Sequence, residues 1–126
     1  MKNLTLLICI ACIFGFHSCK KEKDNGPGEI YGTWKLTETW GDPGDGSGKY
    51  VKVKGNPKYI IFNHSGNIEG SAIPNITSYK IIDSVKLEVT YINNPQPIIY
   101  RYKVSAKDLE LNPPCIEGCG FKFKRK

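Results

Sequence analysis

Val85-Lys86-Leu87-Glu88-Val89-Thr90-Tyr91-Ile92, followed after a short gap by Ile98-Ile99-Tyr100-Arg101-Tyr102-Lys103-Val104, decides the fold class of this chain. In the first stretch Val85, Leu87, Val89 and Tyr91 alternate with Lys86, Glu88 and Thr90. In the second, Ile98, Tyr100, Tyr102 and Val104 take one face, Arg101 and Lys103 the other. Successive side chains of a strand point to opposite faces, so a period of two makes half-buried antiparallel strands. Asn93-Asn94-Pro95-Gln96-Pro97 between them is turn-forming. Hairpin partners bury one core only if like faces meet. Val85, Leu87, Val89 and Tyr91 should therefore face the same interior as Ile98, Tyr100, Tyr102 and Val104. Lys86, Glu88, Arg101 and Lys103 should stay in water, because uncompensated burial of charge is costly.

The alternation continues outward from this hairpin. Leu109 and Leu111 flank Glu110, and Phe121 and Phe123 alternate with Lys122 and Lys124. Trp34, Leu36 and Trp40 share a phase against Thr33, Lys35, Thr37 and Thr39. That phase places Glu38 either inside or at a wet barrel mouth. Lys58 to Asn63 is apolar on both faces and reads as a strand covered on both sides. Turn signals lie at His64-Ser65-Gly66-Asn67, Asp83-Ser84 and Ala106-Lys107-Asp108. No run after Gly28 sustains helical periodicity. The pattern predicts an all-β domain of roughly eight short strands, an up-and-down antiparallel barrel or a small sandwich.

The start of the chain reads differently. Lys2, the apolar run Leu4 to Phe16, and His17-Ser18 before Cys19 have the order of a signal peptide. The run is shorter than the about 20 residues a spanning helix needs. Ser18-Cys19 resembles the lipobox, in which a small residue precedes a cysteine that is lipidated before cleavage. The resemblance implies a signal over 1–18, acyl chains on Cys19, and a tether over 19–28. Lys20 to Gly28 is charged and then Gly/Pro-rich, a composition that packs no core. The barrel domain is then 29–126. Two or more acyl chains suffice for stable anchoring. Lys20 stands where some Gram-negative lipoproteins carry an inner-membrane-retaining Asp, so the expected address is the outer membrane, with surface display open.

The chain counts 18 Lys+Arg against 12 Asp+Glu. Its cations are spread along the strands except at Lys122-Phe123-Lys124-Arg125-Lys126, which reads first as a solvated basic face; an exported protein meets anionic lipid far more often than nucleic acid. Of five cysteines, Cys9 and Cys12 fall in the signal. Cys115 and Cys119 remain as an even pair in an oxidising compartment, where a disulfide is expected. A redox-active pair would need a lowered thiol pKa and a zinc site about four ligands; only His64 could join the two thiols.

Gly32-Thr33-Trp34 resembles the Gly-x-Trp signature of lipocalins, whose tryptophan closes one barrel end beneath a basic residue of the last strand. The ordered set Trp34 to Leu36, Gly44 to Ser47, Lys58 to Phe62, Cys115 to Cys119 and Lys122 to Arg125 is similar to small lipocalin-like domains of bacterial lipoproteins. The resemblance implies that the last strand pairs with the first and that Lys122, Lys124 or Arg125 covers Trp34. It also implies a small apolar ligand, with Trp34, Trp40, Phe62, Tyr91, Tyr100 and Tyr102 as lining residues, or an envelope partner. The alternative is an envelope interaction module whose core is filled by its own side chains.

No enzyme, metal or cofactor is expected. Asp42, Asp45 and Ser47 do not have EF-hand spacing and read as turn formers. No Ser/His/Asp or Cys/His order supports nucleophilic catalysis, and one carboxylate at Glu38 makes no acid/base pair. Asp83-Ser84-Val85 resembles a short Asp-Ser/Thr-aliphatic motif that some bacteria O-glycosylate.

Overall fold

The computed structural model describes residues 29–126. The signal over 1–18, the tether over 19–28 and Cys19 lie outside the described residues. The strands are β1 (Gly32–Gly41), β2 (Lys49–Lys52), β3 (Tyr59–Phe62), β4 (Ile68–Gly70), β5 (Ile76–Ile81), β6 (Lys86–Tyr91), β7 (Asn94–Val104), β8 (Asp108–Asn112) and β9 (Cys119–Arg125). They form one antiparallel sheet in the order β4-β3-β1-β9-β8-β7-β6-β5, with β2 also on β1.

β2 and β3 share one side of β1. β2 lies opposite Glu38–Gly41 and β3 opposite Gly32–Lys35. The amides of Val53 and Leu36 continue this ladder to the carbonyls of Thr37 and Lys58, both at 2.9 Å. β2 and β3 are thus one interrupted strand, and eight strands run round the sheet. Sequence neighbours pair except β4 and β5, and β9 returns to β1. The result is an up-and-down barrel with one unsealed seam. Between β4 and β5 there is a single bridge, Asn67 to Ser78, beside a 2.9 Å bond from the Tyr79 amide to the Gly66 carbonyl.

The interior follows the sequence alternation over most of its length. Leu87, Val89, Tyr100, Tyr102, Leu109, Leu111 and Phe123 are buried. Lys86, Arg101 and Lys103 are exposed, as expected. Val85 is not interior: it precedes β6 and is 43% exposed. It belongs to a turn held by Asp83, whose carboxylate accepts the amides of Val85 and Lys86 at 2.8 Å each. Glu88 is half-buried, not exposed, because it lies between Lys80 and Ile99 in the ladder. Tyr91, Ile98 and Val104 are half-buried against the core. In β3, Ile60 and Phe62 enter the core while Tyr59 and Ile61 are only half-covered on the outside.

One irregularity redirects half of β1. Leu36 pairs with Phe123, but Glu38 pairs with Lys122, the next residue of β9 counted backwards. Thr37 is the extra residue of a β-bulge, and its hydroxyl donates to the Lys122 carbonyl at 3.0 Å. A bulge reverses the phase of the residues beyond it. Trp40 therefore does not share the interior with Trp34 and Leu36. It lies with Glu38 on the outer face, opposite to Phe123.

Trp34 closes one end of the barrel. It is fully buried, and its indole N–H donates to the Ile30 carbonyl at 2.7 Å. The Arg125 guanidinium lies over its ring and donates to the carbonyls of Glu29, Tyr31 and Ala106 at 2.6–2.8 Å. The last strand thus ties the entering chain and the 105–107 turn to one indole.

Candidate functional site

The bulge at Thr37 assembles a row of charges across the outer face. Lys52 pairs with Glu38, Glu38 with Lys122, Lys122 with Glu110, and Glu110 with Lys103. Read across β2, β1, β9, β8 and β7, the signs alternate. Lys122 Nζ is 3.7 Å from the Glu38 carboxylate and 3.8 Å from the Tyr50 ring centroid. Partly exposed pairs of this kind contribute only about 0–1 kcal/mol each. Stability alone does not account for placing five charges in register.

A groove of ≈ 630 Å³ lies over this row. Its lining includes Glu38, Lys52, Lys103, Asp108, Glu110 and Lys122. Among the described residues, Lys52 and Lys103 at the two ends of the row form no ion pair, whereas Lys122 is engaged. The groove therefore offers two free cations about a braced centre.

Aromatic side chains lie beside the charge row. Trp40 and Tyr50 meet edge to face, with centroids 5.1 Å apart. The Tyr50 hydroxyl donates to Glu110 at 3.0 Å, and the Asn112 amide donates to the same oxygen at 3.3 Å. Burial, and then the hydrogen bond and charge of Glu110, push the Tyr50 phenol up to about 12. It is a neutral donor at any ordinary pH.

Two glycine-rich loops hold Trp40. A Cβ at Gly48 would meet the indole nitrogen at 2.9 Å, and one at Gly118 would meet it at 3.3 Å. Cys115 and Cys119 sit at disulfide distance, with Cα atoms 5.8 Å apart. Closing so small a loop contributes about 2 kcal/mol by the chain-entropy model, and it fixes Gly118 against Trp40. In the facing loop, Asp42 accepts the amides of Gly44 and Gly46, and Asp45 that of Ser47. The Gly44 amide chiefly, and the Ser47 hydroxyl and amide, hold these two carboxyls below their ordinary values. Both carboxylates are spent on turns.

Of the six aromatic residues read as a ligand lining, Trp34, Phe62, Tyr100 and Tyr102 belong to the core, Tyr91 packs against it, and Trp40 lies on the outer face. Trp34, Phe62 and Tyr100 are buried at 0–2% exposure, and Tyr102 at 9%. Phe62 packs edge-on to Tyr79. Tyr91 is half-buried and shares a hydrogen bond with the Tyr100 hydroxyl, while burial pushes the Tyr100 phenol well above its usual range. Trp40 lies outside the barrel. Glu110 and Lys122, which carry no functional motif in the sequence, line the groove, and Tyr50 contacts both. Only the inter-strand register brings them together.

No family model matches the chain, and no curated protein or solved structure matches it either.

Proposed function

We propose that this chain is a lipid-anchored protein of the bacterial envelope that works by binding, with the outer β2–β1–β9–β8–β7 face engaging an envelope protein. The observation that carries this reading is the filled interior. Trp34, Phe62, Tyr100 and Phe123, each no more than 2% exposed, occupy the space where a lipocalin would hold its ligand, and the groove lies outside. The lipocalin-like reading of the scaffold is supported by Gly32-Thr33-Trp34 on the first strand, its pairing with the last, and Arg125 over the indole. A small apolar ligand is the second reading. It is favoured by Tyr91, Ile98 and Phe121, which are half-buried against the core and would be its first contacts.

Two measurements separate these. A photo-crosslinking residue in place of Lys103 should trap one discrete partner in intact cells, and the same residue at Asn56 should trap none. Glu110→Lys should abolish the adduct. Saturable binding of an apolar fluorophore, with quenching of buried tryptophan and no discrete adduct, would favour the ligand reading instead. The address is tested separately: Cys19→Ala should release the protein from membranes and end acyl labelling. Membrane retention of that variant, with no fatty acid on the wild type, would remove the anchor.

A further inference from the structure

We infer that the barrel rim on which the chain enters is a seat for an anionic phospholipid bilayer. Glu29, the 63–67, 82–85 and 105–107 turns and Arg125 all lie at this rim, since each successive strand reverses direction. The proposal rests on the anchored reading only for the proximity of a membrane; the rim's chemistry is independent of it.

Three observations point to anionic lipid. First, the β5–β6 turn exposes Ile81, Ile82 and Val85 close together, at 39, 47 and 43%. Second, exposed cations crowd the rim, and among the described residues Lys124 with Asp108 makes the one ion pair there. Lys86 stands directly opposite Arg101 across β6 and β7, and Lys35 opposite Lys124 across β1 and β9. Like charges in register are unfavourable, and in the row across the groove they are avoided by strict alternation. Lys107 and Lys126 add to the same rim, both exposed. Third, two of the rim's carboxylates are withdrawn. Asp83 is turned onto the amides of its own turn, and Asp108 is bound by Lys124. Apolar side chains at a turn tip, on a rim crowded with cations, match the interface of an acidic bilayer. The opposite rim also exposes Ile92 and Ile116, but its loops carry Asp42, Asp45 and Glu117, which such a surface repels.

The test uses the full lipoprotein, labelled with an environment-sensitive fluorophore through Ser84→Cys on the entry rim or Ser47→Cys on the opposite rim. Each is reconstituted into vesicles of phosphatidylcholine alone, or with three parts in ten phosphatidylglycerol, both carrying brominated-chain quencher lipids. Incorporation into neutral vesicles reports the anchor. Quenching at Ser84→Cys, stronger in anionic vesicles, weakened by salt and absent at Ser47→Cys, reports the seat. Each of Lys86→Gln, Lys107→Gln and Lys126→Gln should lower the seated-to-unseated ratio about fivefold, the equivalent of about 1 kcal/mol per cation at such a surface. Incorporation with equal quenching at the two rims, quenching indifferent to phosphatidylglycerol, or no association with either vesicle would overturn the proposal. Failure in neutral vesicles with anionic-dependent quenching at Ser84→Cys would remove the anchor and leave the seat standing.

Discussion

The Arg125 guanidinium lies 4.1 Å from the centroid of the Trp34 ring, joining the first described strand to the last. The indole itself is wholly buried, and the three guanidinium nitrogens above it each donate to a backbone carbonyl. The pair fastens three chain segments at one point.

Trp34→Ala should therefore cost about 3–5 kcal/mol, the range for deleting a buried aromatic side chain. Arg125→Lys keeps the charge but loses the planar fork that reaches three carbonyls, and should cost roughly 1–3 kcal/mol. Urea denaturation of both variants measures this. A lysine variant indistinguishable from wild type would mean that the charge alone suffices.

Alkali should loosen the barrel through its tyrosines. Burial pushes the phenols of Tyr50 and Tyr79 up to about 12, above the about 10 expected of an unfolded chain. The neutral form is favoured in the folded state. Its contribution to stability is complete below about pH 10 and lost as the pH rises toward about 12. Denaturation midpoints taken from about pH 8 to about pH 12 should fall over that window, in step with phenolate absorbance. Tyr79→Phe should flatten the fall. A midpoint that does not change across it would contradict the burial of these hydroxyls.

Two glycines with positive φ should respond differently to alanine. Gly70 has φ +111°, and a Cβ there would meet the Tyr59 carbonyl oxygen at 2.2 Å, a backbone atom that cannot move aside. Gly46 has φ +78° and open space around it. Gly46→Ala should cost only the left-handed penalty, about 1–2 kcal/mol. Gly70→Ala should cost clearly more, because β4 must separate from β3 to accommodate it. Thermal melts of the two side by side would decide, and equal losses would count against the close approach.

Removing the bulge tests the register directly. Deletion of Thr37 sets Glu38 immediately after Leu36, just as Lys122 adjoins Phe123 in the partner strand, so Glu38 and Trp40 keep the outer face. The deletion variant should still give a cooperative transition, and Thr37→Val, which removes one hydroxyl bond, should lose about 1 kcal/mol. A deletion variant that fails to fold would show that the bulge does more than absorb one residue.

Those contrasts mark where the fold was legible in sequence. β6 to β9 could be read because their alternation is long and unbroken, and Leu109, Leu111 and Phe123 are buried as it requires. β2, β4 and β5 are short or polar, with too few apolar positions to set a period. The bulge was hidden because Trp34, Leu36 and Trp40 fit one phase on paper. Its single visible sign was Glu38, a charge where that phase demanded an apolar residue. The groove could not be read at all. Tyr50, Glu110 and Lys122 are far apart in the chain, and each alone is an ordinary surface residue.

The unsealed seam has a consequence for how the chain could be rewired. With β2 and β3 taken as one strand, every pair of consecutive strands is laddered except β4 and β5, yet the covalent chain runs between those two through Ser71 to Asn75. Residue 126 meanwhile donates to the Thr33 carbonyl, within a short linker's reach of Glu29. A circular permutant opened in 71–75 and joined from 126 to 29 would keep every ladder. Its strands would then follow one another from β5 round to β4 as a plain meander. The gap in the hydrogen bonding is thus the position where the barrel's linear order could begin.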